Sequence, residues 1–248
     1  MSESRELEGR VALITGAAKN IGRAIAEDLA DAGAAVVINT RASKREAEAA
    51  AGALRAKGHK AIVQVADVTD RAAVDRMVQS VAQELGRIDI LVNNAVAHGS
   101  TSFEEFTVDA WENTIAVTLH GAFHCTQACL PHLVKAGGGT IVNMGGAFGH
   151  RPSAGRSATS AAKAGLAGMT RALAHELAEK NINVNYVAPG PVNTVREIPA
   201  RIDVSTIPMG RFAEIGEVTA VVRMLCMPRG RYITGQTIHV NGGFYMNA

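Results

Sequence analysis

Short β-branched runs alternate with longer alanine-rich stretches along the chain, and no other sequence feature constrains the fold as strongly. Val11 to Thr15, Val36 to Thr40, Ala61 to Ala66, Ile88 to Asn93 and Thr140 to Met144 read as strands, as do Asn183 to Val187 and Thr237 to Val240. Ile21 to Ala32, closed by Gly33, and Lys44 to Lys57 read as helices. Asp109 to Lys135 and Arg156 to Lys180 read as two long ones. Near-continuous apolar strands separated by helices predict a parallel sheet covered on both faces. The expected fold is therefore α/β and doubly wound, with right-handed crossovers. At 248 residues, with no repeat or low-complexity tract, one domain over 1–248 is expected. Gly137-Gly-Gly139 falls between a helix and a strand and reads as a helix stop rather than a linker. The least regular stretch, Arg196 to Met209 with Pro199 and Pro208, follows a strand and is a candidate lid.

Charge narrows the partners. Lys and Arg total 25 against 23 Asp and Glu, a net charge of +2 that argues against a nucleic-acid binder driven by net charge. No apolar run reaches the roughly 20 residues needed to cross a bilayer. Met1 to Arg10 carries alternating charges rather than a signal-peptide pattern. Cys125, Cys129 and Cys226 lack metal-ligand spacing and read as buried thiols, so a reducing, cytoplasmic setting is expected and no metal site.

Thr15-Gly16-Ala17-Ala18-Lys19-Asn20-Ile21-Gly22 joins the first strand to the first helix. Glycines there allow a tight turn and close backbone approach, and the free N–H groups at a helix start attract a pyrophosphate. With this loop in place, the chain resembles the short-chain dehydrogenase/reductase family over nearly its whole length. The family's T-G-x-x-x-G-x-G loop is present with Asn20 at the middle glycine, a residue that tolerates left-handed backbone. Asp67-Val68 matches an acidic pair that contacts adenine in the family, and Asn93-Asn94-Ala95 matches N-N-A-G with Val96 in place of glycine. Pro189 to Thr194 matches the segment that holds the nicotinamide carboxamide, with Val192 and Thr194 as its candidates. Ile233 to Gly243 matches the C-terminal signature.

The resemblance implies a Rossmann-type sheet and a nicotinamide dinucleotide, with Gly16, Lys19, Asn20, Ile21, Asp67, Val68, Asn94, Val192 and Thr194 among its contacts. An acidic residue at the end of the second strand would favour NAD. Asn39-Thr40-Arg41 stands there instead, and Arg41 and Lys19 are suited to a 2′-phosphate. NADP(H) is expected over NAD(H), although Arg41 and Lys44 also read as ordinary surface cations.

The family's catalytic pattern is a Tyr-x-x-x-Lys pair, a serine about thirteen residues upstream and an asparagine on the preceding long helix. Lys163 fits the lysine, which in the family also binds the nicotinamide ribose. Four residues earlier stands Thr159, thirteen before that Gly146, and the asparagine position holds Thr118. Only three tyrosines exist (Tyr186, Tyr232, Tyr245), and none lies at that helix position. A threonine hydroxyl is shorter by a ring and far less acidic than a phenol of pKa about 10. Proton transfer through Thr159 is therefore not expected to resemble the family's.

His98 and His150 both follow strands whose ends should border the site, and imidazole titrates near neutrality. Each alone reads as a loop histidine facing water; together, beside a missing tyrosine, they become candidate acids. His120 and His124, on the long helix, read as packing or interface residues. Arg151, Arg156 and Arg196 suggest an anionic substrate or ordinary surface charge. The expected activity is hydride transfer between NADP(H) and a small carbonyl, alcohol or unsaturated substrate, with a non-standard proton donor. The alternative is a redox-inactive scaffold, or a lyase, hydrolase or isomerase using the old pocket. By resemblance the chain is expected to form a homo-oligomer, a tetramer or dimer.

Overall fold

The computed structural model describes residues 5–97, 99–151, 153–194 and 203–246. In chain order its elements are β1 Val11–Ile14, α1 Asn20–Asp31, β2 Ala35–Thr40, α2 Lys44–Ala56, β3 Ala61–Val65, α3 Arg71–Leu85 and β4 Ile90–Asn93. Then follow α4 Val108–Ile115, α5 Gly121–Lys135, β5 Gly139–Met144, α6 Ser157–Leu177, β6 Ile182–Pro189, α7 Ile215–Cys226 and β7 Thr237–Val240. All strand pairs are parallel, in the order β3-β2-β1-β4-β5-β6-β7. The chain runs outward from β1 through β3 and then returns to the other side of β1. This reversal opens a crevice beyond the carboxyl ends of β1 and β4, where open α/β sheets bind ligands.

Strand alternation sorts β1 between two cores. Ala12 and Ile14 face one side with Ile25, Leu29, Leu54, Val218 and Val222 of α1, α2 and α7. Val11 and Leu13 face the other with Val74, Val78, Cys125, Cys129 and Leu177 of α3, α5 and α6. The three cysteines are free and buried, and burial pushes the Cys125 and Cys226 thiols up to about 12. Inert packing thiols are what the sequence led us to expect.

Two helices were not anticipated. Both α3 and α7 carry legible signals: Asp70 caps Ala73 N–H and left-handed Gly86 ends α3, while Glu214 and Glu217 form a reciprocal capping box at the start of α7. The single helix expected over Asp109 to Lys135 is instead broken at Ala116–His120 by a π-helical turn centred on Thr118. Such a bulge inserts one residue and turns the following side chains to a new bearing. Gly137 and Gly138 adopt φ of +83° and +125°, stopping α5 as expected, and Gly139 opens β5.

Candidate functional site

Thr15 organises the crevice. Its Oγ1 donates to Val92 O at 3.4 Å and accepts from the Asn94 and Ala95 amides at 2.9 and 3.0 Å. Asn94 Nδ2 in turn donates to Thr15 O and Gly16 O at 2.9 and 3.1 Å. The ends of β1 and β4 are thus fastened together at the mouth of the crevice. Gly16 takes φ +61°, and a side chain there would press on Ala95. Gly22 has less room still: an added Cβ would lie 2.4 Å from Asn94 Nδ2 and 2.7 Å from Gly16 O. Asn20 adopts φ +51°, the left-handed backbone anticipated for it, and its Oδ1 is buried without a partner. Lys19 precedes α1 without capping it, so the amides of Asn20 and Ile21 meet no side-chain acceptor at the helix start. Close glycine backbone and an uncapped helix start make a cradle fitted to a pyrophosphate.

The cations at the next strand are already engaged. Arg41 lies 3.7 Å from Asp67, and Lys19 lies 2.9 Å from Glu46, all four side chains being substantially exposed. The sequence reading found no carboxylate at the end of β2; the fold brings Asp67 and Glu46 there from other elements. Exposed pairs of this kind are worth ~1 kcal/mol or less, so a phosphate can displace them. Asp67 also accepts from the Thr69 amide and hydroxyl, and the neighbouring Val68 is buried against Gly121. Val68 O is bonded to His124 Nδ1 at 3.0 Å, a contact within the chain that fits the first of the two roles, packing or interface, expected of that histidine.

A buried polar ladder sets the third part of the site. Asn93 Nδ2 donates to Asn143 Oδ1 at 2.8 Å, and Asn143 Nδ2 donates to Thr170 Oγ1 at 2.9 Å, tying β4, β5 and α6 together. Lys163, on α6, is 5% exposed and donates to Met144 O at 2.6 Å. Burial pushes its ammonium down to about 8. Thr159, one turn earlier, is buried, as is Thr118, whose Oγ1 has no partner. At Gly146 an added Cβ would meet nothing closer than Pro189 O at 4.0 Å, so the position faces open space. Val192 is bridged to Ala213 and, with Thr194, is half-buried beyond the end of β6.

His150 stands in the turn after β5, its ring packed against Tyr186, His239 and Tyr245. Its pKa is lowered, first by burial and then by the charge of Arg171. Arg151 lies over the Phe244 ring at 4.1 Å and Arg156 over Phe148 at 5.1 Å, both flanking the same turn. His98, Arg196 and the first half of the expected lid fall outside the described residues; the second half contains a short helical turn at Val204–Thr206. From the sequence, Tyr186 counted only as a tyrosine off the catalytic helix, and His239 drew no notice. Tyr186 pairs with Asn143 across β5 and β6, a neighbour relation that spacing along the chain does not reveal. Among the described residues no helix is long and apolar enough to cross a membrane, and no cluster of metal-ligating side chains is present.

The same architecture recurs in known proteins. The model of the short chain dehydrogenase family matches residues 10–203. A 3-oxoacyl-(acyl-carrier-protein) reductase FabG of Pseudomonas aeruginosa is 39% identical over 246 residues, which cover 97% of this chain and 99% of that protein. The FabG of Staphylococcus aureus is 36% identical over 240 residues, covering 95% and 98%. Among solved structures, a short chain dehydrogenase from Burkholderia cenocepacia in complex with NADP is similar with a TM-score of 0.90 at 35% identity, covering 96% of this chain and 99% of that one. A short-chain dehydrogenase/reductase from Serratia marcescens gives 0.91 at 33% identity, with the same coverage. The phosphate cradle, the strand order and these likenesses agree: the chain belongs to the short-chain dehydrogenase/reductase family.

Proposed function

We propose that this protein is an NADP(H)-dependent oxidoreductase acting on a small carbonyl, alcohol or unsaturated substrate, with an imidazole rather than Thr159 handling the proton. The observation that carries the reading is the cradle at the start of α1, where Gly16 and Gly22 allow close packing around an uncapped helix end and Asn20 takes a left-handed backbone. The amides of Gly16, Lys19, Asn20 and Ile21 would hold the pyrophosphate. Arg41 and Lys19 would serve the 2′-phosphate in place of Asp67 and Glu46, Asp67 and Val68 would border the adenine, and Asn94 would shape the ribose side of the crevice. Lys163 would serve the nicotinamide ribose, and Val192 and Thr194 the carboxamide. NADP bound to the Burkholderia cenocepacia relative supports the same choice here. When bound, the cofactor supplies or takes the hydride at the reacting carbon.

The chain's own side chains then manage the proton. Thr159 is buried and lacks a phenol, and Gly146 contributes no hydroxyl. His150 is the described imidazole beside that space, with His98 the other candidate. Open space at Gly146 suits a bulkier substrate than a serine there would admit. Arg151 and Arg156 keep positive charge at the rim, compatible with an anionic substrate.

A second reading, a cofactor-binding protein without redox turnover, is favoured by one observation: threonine, glycine and threonine occupy three of the four positions that carry the family's chemistry. Purified protein should enhance or quench NADPH fluorescence and then oxidise it with some member of a panel of ketones, quinones and 3-oxoacyl thioesters. Binding without turnover moves the second reading ahead; absence of binding overturns both.

A further inference from the structure

Behind the Gly146 opening, four polar atoms are buried without hydrogen-bond partners: Tyr186 Oη, His150 Nε2 and both ring nitrogens of His239. Their rings touch. His150 meets Tyr186 edge-on at 5.6 Å between centroids and His239 at 5.1 Å, and Tyr245 stacks on His150 at 5.8 Å while lying 5.1 Å from His239. The four residues come from the turn after β5, from β6, from β7 and from the segment following β7, so only the tertiary fold assembles them. Unpaired polar groups cost stability when buried, and a native fold that gathers several in one place is expected to have a use for them.

Glycines make the room. A Cβ added at Gly145 would lie 1.9 Å from Tyr186 Cζ and 2.3 Å from its Oη, so the phenol fills the volume any side chain at 145 would need. A Cβ added at Gly149 would fall 3.0 Å from Tyr186 Oη and 2.9 Å from Lys163 Cβ. The phenol therefore runs from β6 beneath the turn that carries Gly146 and ends beside the base of Lys163. Tyr186 is fully buried, which keeps it from touching substrate directly.

We propose that Tyr186 is a positioning residue of this site: with His239 and Tyr245 it holds the His150 imidazole at the foot of the Gly146 opening, where His150 passes the proton to and from the substrate oxygen. The inference rests on the oxidoreductase reading given above. In reduction the N–H bond of the His150 imidazolium breaks as the substrate O–H bond forms. The imidazole left behind regains a proton from solvent, and oxidation runs the other way.

Electrostatics agree with a weakly held proton. Among the described residues, the groups facing His150 are Tyr186 from β6, His239 from β7 and Tyr245 beyond it, with the charge of Arg171 on α6 acting on it; Arg151, next in sequence, is turned onto Phe244. No carboxylate is among these groups. Burial lowers His239 as well, and the charge of His150 lowers it further, so the two imidazoles share one proton more readily than they hold two. Burial raises Tyr186, which stays a neutral phenol; the nearby Gly146 amide opposes this in smaller measure without completing a well-formed hydrogen bond.

Side-chain NMR titration of the cofactor-free protein tests this without requiring turnover. In the wild type, His150 and His239 should titrate below the ordinary imidazole range in two coupled steps. Tyr186→Phe should move the His150 midpoint by about half a pH unit or more with little change in melting temperature, because it removes the hydroxyl and keeps the ring. His239→Asn should leave His150 a single step at higher pH. Gly145→Ser/Tyr186→Val, which clears the clash a side chain at 145 creates, should fold and reproduce the Tyr186→Phe shift. A His150 that titrates as a free imidazole and does not move in these variants overturns the proposal. NADPH fluorescence, measured separately, reports on the cofactor reading alone. With a turned-over substrate, Tyr186→Phe should displace the pH profile of kcat and leave the KM for NADPH unchanged.

Discussion

Two stretches of the same sheet edge are built on opposite rules. Where β1 and β4 end, a few small side chains bond one another: Thr15 Oγ1 makes three hydrogen bonds and Asn94 Nδ2 two, and glycines bring backbone close to backbone. Where β5 and β6 end, glycines instead make way for a side chain. The Tyr186 ring occupies the space of Gly145, and three ring nitrogens and a phenol oxygen lie buried and unpaired. The first region is closed by hydrogen bonds between β1 and β4 residues far apart in sequence. The second leaves polar atoms unpaired, the feature on which the proposed proton handling rests.

The comparison breaks most sharply at its hinge, Thr15. Thr15→Val keeps the shape but strands the Asn94 and Ala95 amides, and should cost about 2–4 kcal/mol in denaturant-measured stability. A cost below ~1 kcal/mol would show that the first region does not depend on that bonding. Next comes Lys163. Its folded value of about 8 lies below the unfolded value of 10.5, so the unfolded chain binds more protons between those limits. Its contribution to stability is therefore lowest below about pH 8 and rises toward pH 10.5, by up to about 3 kcal/mol. Buried thiols and Tyr186 oppose the trend at high pH, so the measurement is the difference between wild type and Lys163→Met, which should lack the rise. Equal pH slopes in the two proteins would place the ammonium in water.

Gly22→Ala sharpens the first half of the comparison. Its methyl would press on Asn94 Nδ2 and Gly16 O, and NADPH affinity by fluorescence titration should fall about tenfold to a hundredfold, or ~1.4–2.7 kcal/mol. The smallest effect belongs to Thr159→Ala, which should alter any measured turnover by less than about twofold, since its hydroxyl cannot do the work of a positioned acid. A loss of a hundredfold there would return the proton to α6 and leave His150 a packing residue.

Local signals explain what could be read beforehand. Strands β1 to β7 were all legible because buried parallel strands are nearly continuous apolar runs, and Asn20 was legible because few residues but asparagine and glycine take φ of +51° readily. Helices α3 and α7 were missed although Asp70, Gly86, Glu214 and Glu217 marked their ends. The π turn at Ala116–His120 leaves the apolar pattern on either side continuous and so went unseen. Pairings across the sheet were out of reach. Asp67 and Glu46 meet Arg41 and Lys19 from separate elements, and Tyr186 reaches Gly145 through the register of β5 on β6. Periodicity along a chain records which face a residue takes, and says little about which neighbour it will find there.

The fit of Tyr186 over Gly145 also couples the two positions under mutation. With any side chain at 145 the ring has nowhere to lie. Position 145 is therefore closed to larger residues for as long as a tyrosine stands behind it. A side chain can enter there only together with a smaller residue at 186, so the two positions have to change as a pair.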